Sequence, residues 1–310
     1  MPGSIGCAPR SRHGAPRPTL DNNLVPARRI TVTGVVQGVG FRPFIYGLAQ
    51  RLALAGWVRN TSAGVEIEVT GTVEALDAFT RAITAEAPPL SRIESVRSEM
   101  ITLDETPVGF EIHHSAAVEG AYQPISPDVS LCDDCLAEIF DPADRRYGYA
   151  FTNCTNCGPR FTIIQDIPYD RPKTTMAEFK MCPACQAEYN DPLNRRFHAQ
   201  PNACPVCGPQ LELQPSSEHP VPDGWDDLPH DEIEAARVLL RDGHILAIKG
   251  VGGFHLACDA TNPAAVAELR LRKGRADKPF AVMMPDLDTV LRFCEVSFAA
   301  TQALTARERP

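Results

Sequence analysis

The sequence predicts a multidomain protein of the α+β class, with a ferredoxin-like domain, two tandem four-cysteine units and an α/β segment in that order. Three observations predict it. Strand and helix periodicities over residues 29–115 follow the order βαββαβ. Eight of the eleven cysteines form four CxxC pairs within residues 128–210. Beyond residue 230, a strand pattern runs into glycines and then into a helix pattern. With 310 residues, 44% of them hydrophobic, the chain has room for two or three domains.

The first 28 residues are rich in proline, glycine and arginine and contain one acidic residue, Asp21. This composition predicts a disordered tail. The tail faintly resembles a transit peptide, but Pro9, Pro16 and Pro18 would break the amphipathic helix of such a peptide. No apolar run approaches the roughly 20 residues of a membrane span. We therefore expect a cytoplasmic protein.

Residues 29–115 carry the pattern of the ferredoxin-like domain. Ile30 and Val32 alternate with polar residues as in a strand, and apolar residues then recur at helical spacing until Gly56 ends the helix. The later predicted elements are a strand at 57–60, a strand at 65–69, a helix at 76–83, and closing strands at 93–100 and 110–113.

A glycine loop between the first strand and the first helix is a candidate phosphate site. It consists of Gln37, Gly38, Val39, Gly40 and Phe41. Its backbone N–H groups lie next to a helix N-terminus and can converge on an anion. Arg42 follows, and its planar guanidinium suits two oxygens of a phosphate. Asn60, at the end of the adjacent strand, could orient a water for attack at phosphorus. On the residues alone, a tight turn beside a surface charge explains the pattern equally well.

The cysteine pairs form a C-x2-C-x18-C-x2-C unit that occurs twice, over 132–157 and 182–207, with an offset of 50 residues. The eight candidate ligands are Cys132, Cys135, Cys154, Cys157, Cys182, Cys185, Cys204 and Cys207. Residues without a metal-binding role repeat as well, among them Glu138/Glu188 and Arg145-Arg146/Arg195-Arg196. The sequence therefore predicts a duplicated fold rather than scattered thiols.

Two CxxC turns about twenty residues apart are typical of structural Zn²⁺ sites, which four sulfurs close completely. We expect two such zinc ions, without which this region would not fold. Disulfides are disfavoured because no secretory signal precedes the chain, and a redox site would need one CxxC rather than four. His198 is interpreted as a loop histidine rather than a ligand. Both a sequential and an interleaved pairing of the cysteines stay open, and we predict the sequential one.

The charge of the cysteine-rich region disfavours nucleic acid as its partner. Residues 128–210 contain eleven acidic and eight basic side chains, a net charge of −3 before any metal-bound thiolate is counted. DNA-binding modules usually carry the opposite sign. The arginine pairs at 145–146 and 195–196 are the only feature that favours DNA binding. We therefore expect no sequence-specific DNA binding.

Proline-containing linkers are predicted at 115–131 and 214–229. Beyond them we expect a helix ending near Gly243, a strand at 245–248, a helix capped by Asn262, and a strand at 278–283. Cations after a strand and a glycine turn suit a nucleoside triphosphate. The candidates are Lys249, Arg272, Lys273 and Lys278. On the residues alone, a charged surface helix beside a glycine turn is the better explanation.

Two segments resemble known families. Gly34-Val35-Val36-Gln37-Gly38-Val39-Gly40-Phe41-Arg42 and Gly56-Trp57-Val58-Arg59-Asn60 resemble the acylphosphatase signature. This resemblance implies that Arg42 binds phosphate and that Asn60 positions the water. The segments Lys249-Gly250-Val251-Gly252-Gly253-Phe254-His255-Leu256 and Lys273 to Pro279 resemble the opening half of a YrdC-like domain. The order of the three parts resembles the HypF family, the carbamoyltransferases of [NiFe]-hydrogenase maturation.

The HypF resemblance implies a division of labour. Carbamoyl phosphate would be hydrolysed at the first domain, the carbamate would be adenylated with ATP at the YrdC-like domain, and a further domain would transfer the carbamoyl group to a cysteine of the partner HypE. The sequence stops at Pro310 with the YrdC-like α/β domain incomplete, so we expect the acylphosphatase step without the later ones. A simple acylphosphatase on a zinc platform and a non-catalytic interaction module are the alternatives.

Overall fold

The computed structural model describes residues 25–103, 105–117, 120, 122–217, 220–275 and 277–307. The predicted disordered tail falls largely outside them, since residues 1–24 are not among the described ones. The first strand begins at Ala27, two residues before the predicted boundary. Ala27 is fully buried, and the Arg28 guanidinium pairs with Asp77 at 2.5 Å, which explains why both residues belong to the domain.

The first domain has the predicted ferredoxin-like arrangement, with one extra edge strand. Its elements are β1 (Ala27–Val35), α1 (Phe41–Arg51), β2 (Ala55–Thr61), β3 (Gly64–Thr70), α2 (Val73–Ala85), β4 (Arg92–Ile101) and β5 (Phe110–Ile112). The strand order is β4-β1-β3-β2-β5, and only β2 and β5 run parallel among these pairs. Alternate residues of β1 and β3, such as Ile30 and Ile67, form one core with the apolar faces of α1 and α2.

A bulge in β1 places the candidate loop. The β1–β4 register shifts between Thr33 and Gly34, and a Cβ atom on Gly34 would lie 2.1 Å from the Arg92 carbonyl oxygen. Only glycine allows this approach, with φ of 112°. The strand therefore bends before it enters the loop that precedes α1.

The cysteine-rich region contains little regular structure. Helices α3 (Asp133–Phe140) and α4 (Pro183–Asn190) each begin directly after the first cysteine of a unit. Two short 3-10 turns, Arg171–Lys173 and Thr175–Glu178, lie between the units. The predicted linker 115–131 is packed rather than free where it is described, because Gln123 is 3% exposed and its side chain bonds to the Gly34 carbonyl at 3.2 Å.

The last part contains α5 (Glu232–Arg241), β6 (Leu246–Gly250), β7 (Gly253–Ala257), α6 (Pro263–Lys273), α7 (Leu287–Phe293) and α8 (Phe298–Leu304). Asn262 caps α6 as predicted, accepting hydrogen bonds from two backbone N–H groups. The predicted strand at 278–283 is wrong: β6 and β7 form a two-stranded hairpin, and no described strand pairs with this segment. An apolar run becomes a strand only where a neighbour accepts its hydrogen bonds.

Several large apolar side chains of this last part are exposed, including Phe254, Met283, Phe293 and Phe298. Among the described residues, no helix is both long enough and apolar enough to cross a membrane.

Candidate active site and metal centres

The loop before α1 presents backbone donors to a cleft. Gly38 and Gly40 adopt φ of 70° and 76°, conformations that glycine reaches without strain. Gly40 is the N-cap of α1. Within the described residues, no acceptor takes the backbone N–H groups of this loop from Gly38 to Arg42. Free N–H groups at a helix N-terminus attract an anion.

The Arg42 side chain lies at the same cleft and is 8% exposed. Its Nη2 atom lies 2.8 Å from the Asp170 carboxylate and donates to the Tyr169 carbonyl at 3.5 Å. Its Nη1 atom donates to the Ser115 hydroxyl at 3.4 Å. Arg42 is thus held by a carboxylate within the protein.

Asn60 lines the same cleft as Arg42 and is 2% exposed. Its Oδ1 atom is buried and has no hydrogen-bond partner in the described part of the chain. A buried polar atom without a partner costs on the order of 1–3 kcal/mol. The cavity volume is about 30 Å³, enough for an ordered water. A buried amide without a partner for its oxygen and room for one water molecule therefore occur in the same cleft.

The cysteine-rich region forms a roof over this cleft. The roof residues are Thr155, Arg160, Tyr169, His198, Ala199, Gln200 and Pro201. Arg160, which is 2% exposed, donates to the Gly38 carbonyl of the loop and to carbonyls of the first cysteine unit. No role was predicted for Arg160, Tyr169 or Asp170. They lie more than 120 positions from the loop in the sequence, so no local pattern connects them to it.

Gln37 connects the loop to the roof rather than pointing into the cleft as a ligand. Its Nε2 atom donates to the Thr61 and Gly64 carbonyls and to Gln123, and its Oε1 atom accepts from the Tyr169 N–H at 2.9 Å. The side chain therefore joins β1, the β2–β3 turn and the roof. The backbone of Gln37 remains part of the predicted loop.

His198 enters the cleft from the second cysteine unit. It is not part of either cysteine cluster, as the sequence analysis predicted. Burial lowers the pKa of its imidazole to about 4, and the nearby Arg42 charge adds to this effect. The ring is therefore neutral at pH 7.

The eight cysteines form two separate clusters, and their grouping is sequential. The first contains Cys132, Cys135, Cys154 and Cys157, and the second contains Cys182, Cys185, Cys204 and Cys207. Neighbouring sulfurs lie 3.5–3.7 Å apart in the first cluster and 3.6–3.8 Å apart in the second. Zn–S bonds of about 2.3 Å in a tetrahedron require sulfurs about 3.8 Å apart. All eight thiols are free, and their separations exclude disulfides of about 2.05 Å.

The two units hold each other through exchanged arginines. In the first unit Arg145 donates to the Cys185 sulfur at 3.2 Å, and Arg146 pairs with Glu188 at 2.6 Å. In the second unit Arg195 donates to the Cys135 sulfur at 3.0 Å, and Arg196 pairs with Glu138.

Arginines beside a tetrathiolate centre offset its negative charge, and a carboxylate fixes their orientation. Burial alone would raise the pKa of Glu188, but hydrogen bonds from Arg146 and Arg145 outweigh it and lower the pKa to about 2. The exposed fractions of Arg146 and Arg196 are 1% and 3%. Both arginine pairs, which were the one feature of the sequence in favour of DNA binding, thus form ion pairs within the protein, although only Arg146 and Arg196 are buried.

Each of the four nucleotide-site candidates has its own local surroundings in the described residues. Lys249 lies over the Phe254 ring at 5.9 Å, and Arg272 pairs with Glu268 of the same helix at 2.6 Å. Lys273 ends α6, and the Lys278 carbonyl accepts a hydrogen bond from Arg270.

Three families match the chain in consecutive segments. The acylphosphatase family matches residues 28–112, the HypF finger matches residues 131–164 and 181–214, and the telomere recombination family matches residues 238–310. The finger matches coincide with the two cysteine clusters, and the chain holds two structural zinc ions.

Individual relatives extend over most of the chain. The carbamoyltransferase HypF2 of Cupriavidus necator is 53% identical over 283 residues, which are 91% of this chain and 34% of that protein. A crystal structure of full-length HypF in the phosphate- and nucleotide-bound form matches with a TM-score of 0.84 and 47% identity, over 91% of this chain and 36% of that one. The chain thus spans about a third of the length of these relatives.

The first domain also matches shorter proteins almost end to end. The acylphosphatase of Bifidobacterium longum is 42% identical over 92 residues, which are 29% of this chain and 93% of that protein. The acylphosphatase family matches residues 28–112, the part of the chain that holds the loop and Asn60. From these matches and the arrangement of the two zinc centres, the chain belongs to the HypF carbamoyltransferase family, with an acylphosphatase domain, two HypF fingers and a YrdC-like segment.

Proposed function

We propose that this chain hydrolyses carbamoyl phosphate at the cleft between the first domain and the zinc region. The observation that supports the proposal is the shared cleft, which is lined by the loop with its free N–H groups, by the buried Arg42 and by Asn60, whose Oδ1 has no partner among the described residues. Anion donors and a water-holding group are the two parts that phosphoryl transfer to water needs.

In this proposal the loop and Arg42 bind the three phosphoryl oxygens. Asn60 accepts a hydrogen bond from the attacking water and orients its oxygen toward phosphorus. A new P–O bond forms to the water while the P–O bond to the acyl group breaks, and carbamate leaves with the electron pair. The water proton ends on the released phosphate. Charge that develops on the phosphoryl oxygens meets donors already held in place by Gln37 and Arg160, so little reorganisation is needed.

The test is hydrolysis of carbamoyl phosphate and acetyl phosphate by the purified chain without added metal. Replacing Arg42 with alanine is expected to lower turnover by about 100-fold or more, because a charged donor to the transition state is lost. Asn60→Ala is expected to slow the reaction strongly. Arg51→Ala is the matched control: Arg51 lies on the same helix but pairs with Glu86 outside the cleft.

Normal activity of the Arg42→Ala protein would contradict the proposal. It would favour the non-catalytic interaction module, in which the acylphosphatase fold binds without turnover. Equal turnover of many unrelated acyl phosphates would favour the simple acylphosphatase.

We propose the later steps, adenylation of carbamate with ATP and transfer to a cysteine of a HypE-type partner, for the full-length carbamoyltransferases, and only the hydrolysis step for this chain. The support is the match to carbamoyltransferases and to a nucleotide-bound relative. Lys249, Arg272, Lys273 and Lys278 are the proposed nucleotide contacts. Loss of ATP binding in Lys249→Ala, measured by calorimetry, tests this assignment. A cytoplasmic location is also proposed, since centres built of eight free thiols suit a reducing compartment.

A further inference from the structure

His198, in the second cysteine unit, has a left-handed backbone conformation, and the residue at the equivalent position of the first cysteine unit is a glycine. The repeat offset of 50 residues pairs His198 with Gly148, and their φ angles are 53° and 67°. The backbone N–H of His198 donates to the Tyr189 carbonyl at 3.0 Å, as that of Gly148 does to the Ile139 carbonyl at 2.9 Å. The turn thus requires the left-handed conformation in both units. Glycine adopts it freely, whereas histidine is strained there.

The strained backbone directs the imidazole into the cleft. The ring lies 4.7 Å from the Phe197 ring and 4.9 Å from the Tyr189 ring, and the His198 carbonyl accepts from Gln200 at 2.6 Å. The two ring contacts hold the imidazole, and the hydrogen bond from Gln200 holds the backbone of the turn. Neither ring nitrogen has a hydrogen-bond partner among the residues that the structure describes, although the ring lines the cavity with Arg42. Strain maintained by its surroundings at a binding cleft is a sign of function.

The position of His198 sets which end of a substrate it would meet. In the proposed function the loop and Arg42 bind the phosphoryl group, which leaves the acyl group for the other lining residues of the cavity, and His198 is one of them. A neutral imidazole offers one acceptor nitrogen and one N–H donor. A carbamoyl group carries an amino group that can donate to the acceptor nitrogen. An acetyl group of nearly the same shape has a methyl group there and cannot.

We propose that His198 is a specificity residue that accepts a hydrogen bond from the carbamoyl amino group and thereby selects carbamoyl phosphate over acetyl phosphate. This inference rests on the proposed hydrolysis. It assigns recognition of the acyl group to the second zinc unit, although the chemistry belongs to the first domain.

The test compares kcat/KM for carbamoyl phosphate and for acetyl phosphate in the full chain and in two variants. His198→Gly reproduces the residue of the sister unit, so the turn is kept while the ring is removed. We expect the ratio of the two kcat/KM values to fall by about tenfold, which is the effect of one lost hydrogen bond. His198→Asn tolerates the left-handed conformation and keeps an acceptor oxygen, and we expect it to retain most of the preference.

His230→Gly, which removes an exposed loop histidine, is the matched control and should leave the ratio unchanged. Zinc content of two ions per chain and an unchanged melting temperature check that His198→Gly folds. A wild-type ratio kept by a folded His198→Gly protein would overturn the inference alone, because hydrolysis itself would still occur. Failure of the wild-type chain to hydrolyse either substrate would instead overturn the proposed function, and the inference with it.

Discussion

Arg160 shows how a single side chain joins two parts of this protein. Its guanidinium carries five N–H donors, and each has a backbone carbonyl acceptor: Gly38 in the loop, and Cys154, Thr155, Cys157 and Pro159 in the first zinc unit. A fully satisfied guanidinium can be buried without an ion pair on its donors. Arg160 therefore joins the loop before α1, the proposed phosphate site, to the backbone around the first zinc centre.

The residues of the cleft divide into those that the sequence predicted and those that it did not. Arg42 and Asn60 were found because their loop and strand are local patterns. Arg160 and His198 were not, because each acts on a loop far away in sequence. The sequence contained one sign that His198 is special: Gly148 occupies the equivalent position of the first cysteine unit, and a histidine in place of a turn glycine is unusual.

The pH dependence of substrate preference is expected to follow the neutral imidazole of His198. Burial and the Arg42 charge lower its pKa to about 4, and Asp170 partly opposes them. Lowering the pKa extends the neutral form to more acidic solution. The carbamoyl-to-acetyl ratio of kcat/KM should therefore stay constant from about pH 8 to about pH 5.5, because the His198 ring stays neutral over this range. A histidine with the ordinary pKa of about 6.5 would be mostly charged at pH 5.5.

The measurement is the same ratio across that pH range, taken for wild type and for His198→Asn, whose amide does not titrate. The other titratable groups around the ring are Arg42, Arg160, Tyr169, Asp170 and Tyr189. A loss of preference with a midpoint near pH 6.5 in wild type alone would show that the ring is charged more easily than its burial implies.

The two zinc units depend on each other for the ion pairs of their arginines. The carboxylate of Glu188 in α4 receives both arginines of the first unit, and the Arg146 side chain also donates to the Asn202 side chain at 2.9 Å. Cutting away residues 182–207 would leave Arg145 and Arg146 without these partners. Removing one unit would therefore leave charged side chains of the other unit without their ion-pair partners.

Glu188→Gln is expected to destabilise the protein by about 3 kcal/mol, because it leaves the buried Arg146 charge without its carboxylate. Thermal unfolding and zinc release to a coloured chelator measure the effect. Both zinc ions should be released together in the variant. Glu178→Gln is the control, since Glu178 is exposed and makes no ion pair among the described residues. Release of one zinc ion well before the other would contradict the interdependence of the two units.

The elements were predicted well where periodicity and capping decide them. The helices and strands of the first domain and the cap of α6 were found in this way. The strand expected at 278–283 was wrong, because pairing with a neighbour, which the sequence of the segment does not encode, decides whether an extended run is a strand. The exchange of arginines between the units was also missed. Its signal was present, since these arginines and glutamates repeat with the cysteines.

The zinc region supplies part of the wall of the candidate active site. The roof residues from Thr155 to Pro201 belong to the zinc region, while the loop and Asn60 belong to the first domain. Removing zinc should unfold the roof and leave the loop, α1 and the five-stranded sheet intact. The first domain has its own core, and a shorter relative consists of little else.

Treatment with a strong chelator is therefore expected to abolish the preference for carbamoyl phosphate while acetyl phosphate is still hydrolysed. Metal content, circular dichroism and the kinetics of both substrates, measured on the same sample, check this. Re-addition of Zn²⁺ to the reduced protein should restore the preference. Loss of both activities in parallel with zinc would indicate that the roof is needed for turnover itself.

The exchanged arginines have a consequence for symmetry. Arg146 contacts Glu188 and the Ala203 carbonyl, and the residues 50 positions away repeat this contact in reverse, from Arg196 to Glu138 and the Asn153 carbonyl. Reciprocal contacts of this kind define a twofold axis, here within one chain. Each unit consequently carries both halves of a self-complementary interface. A free unit with its zinc ion would present the same surface as its twin, and we expect two copies of it to associate as a homodimer.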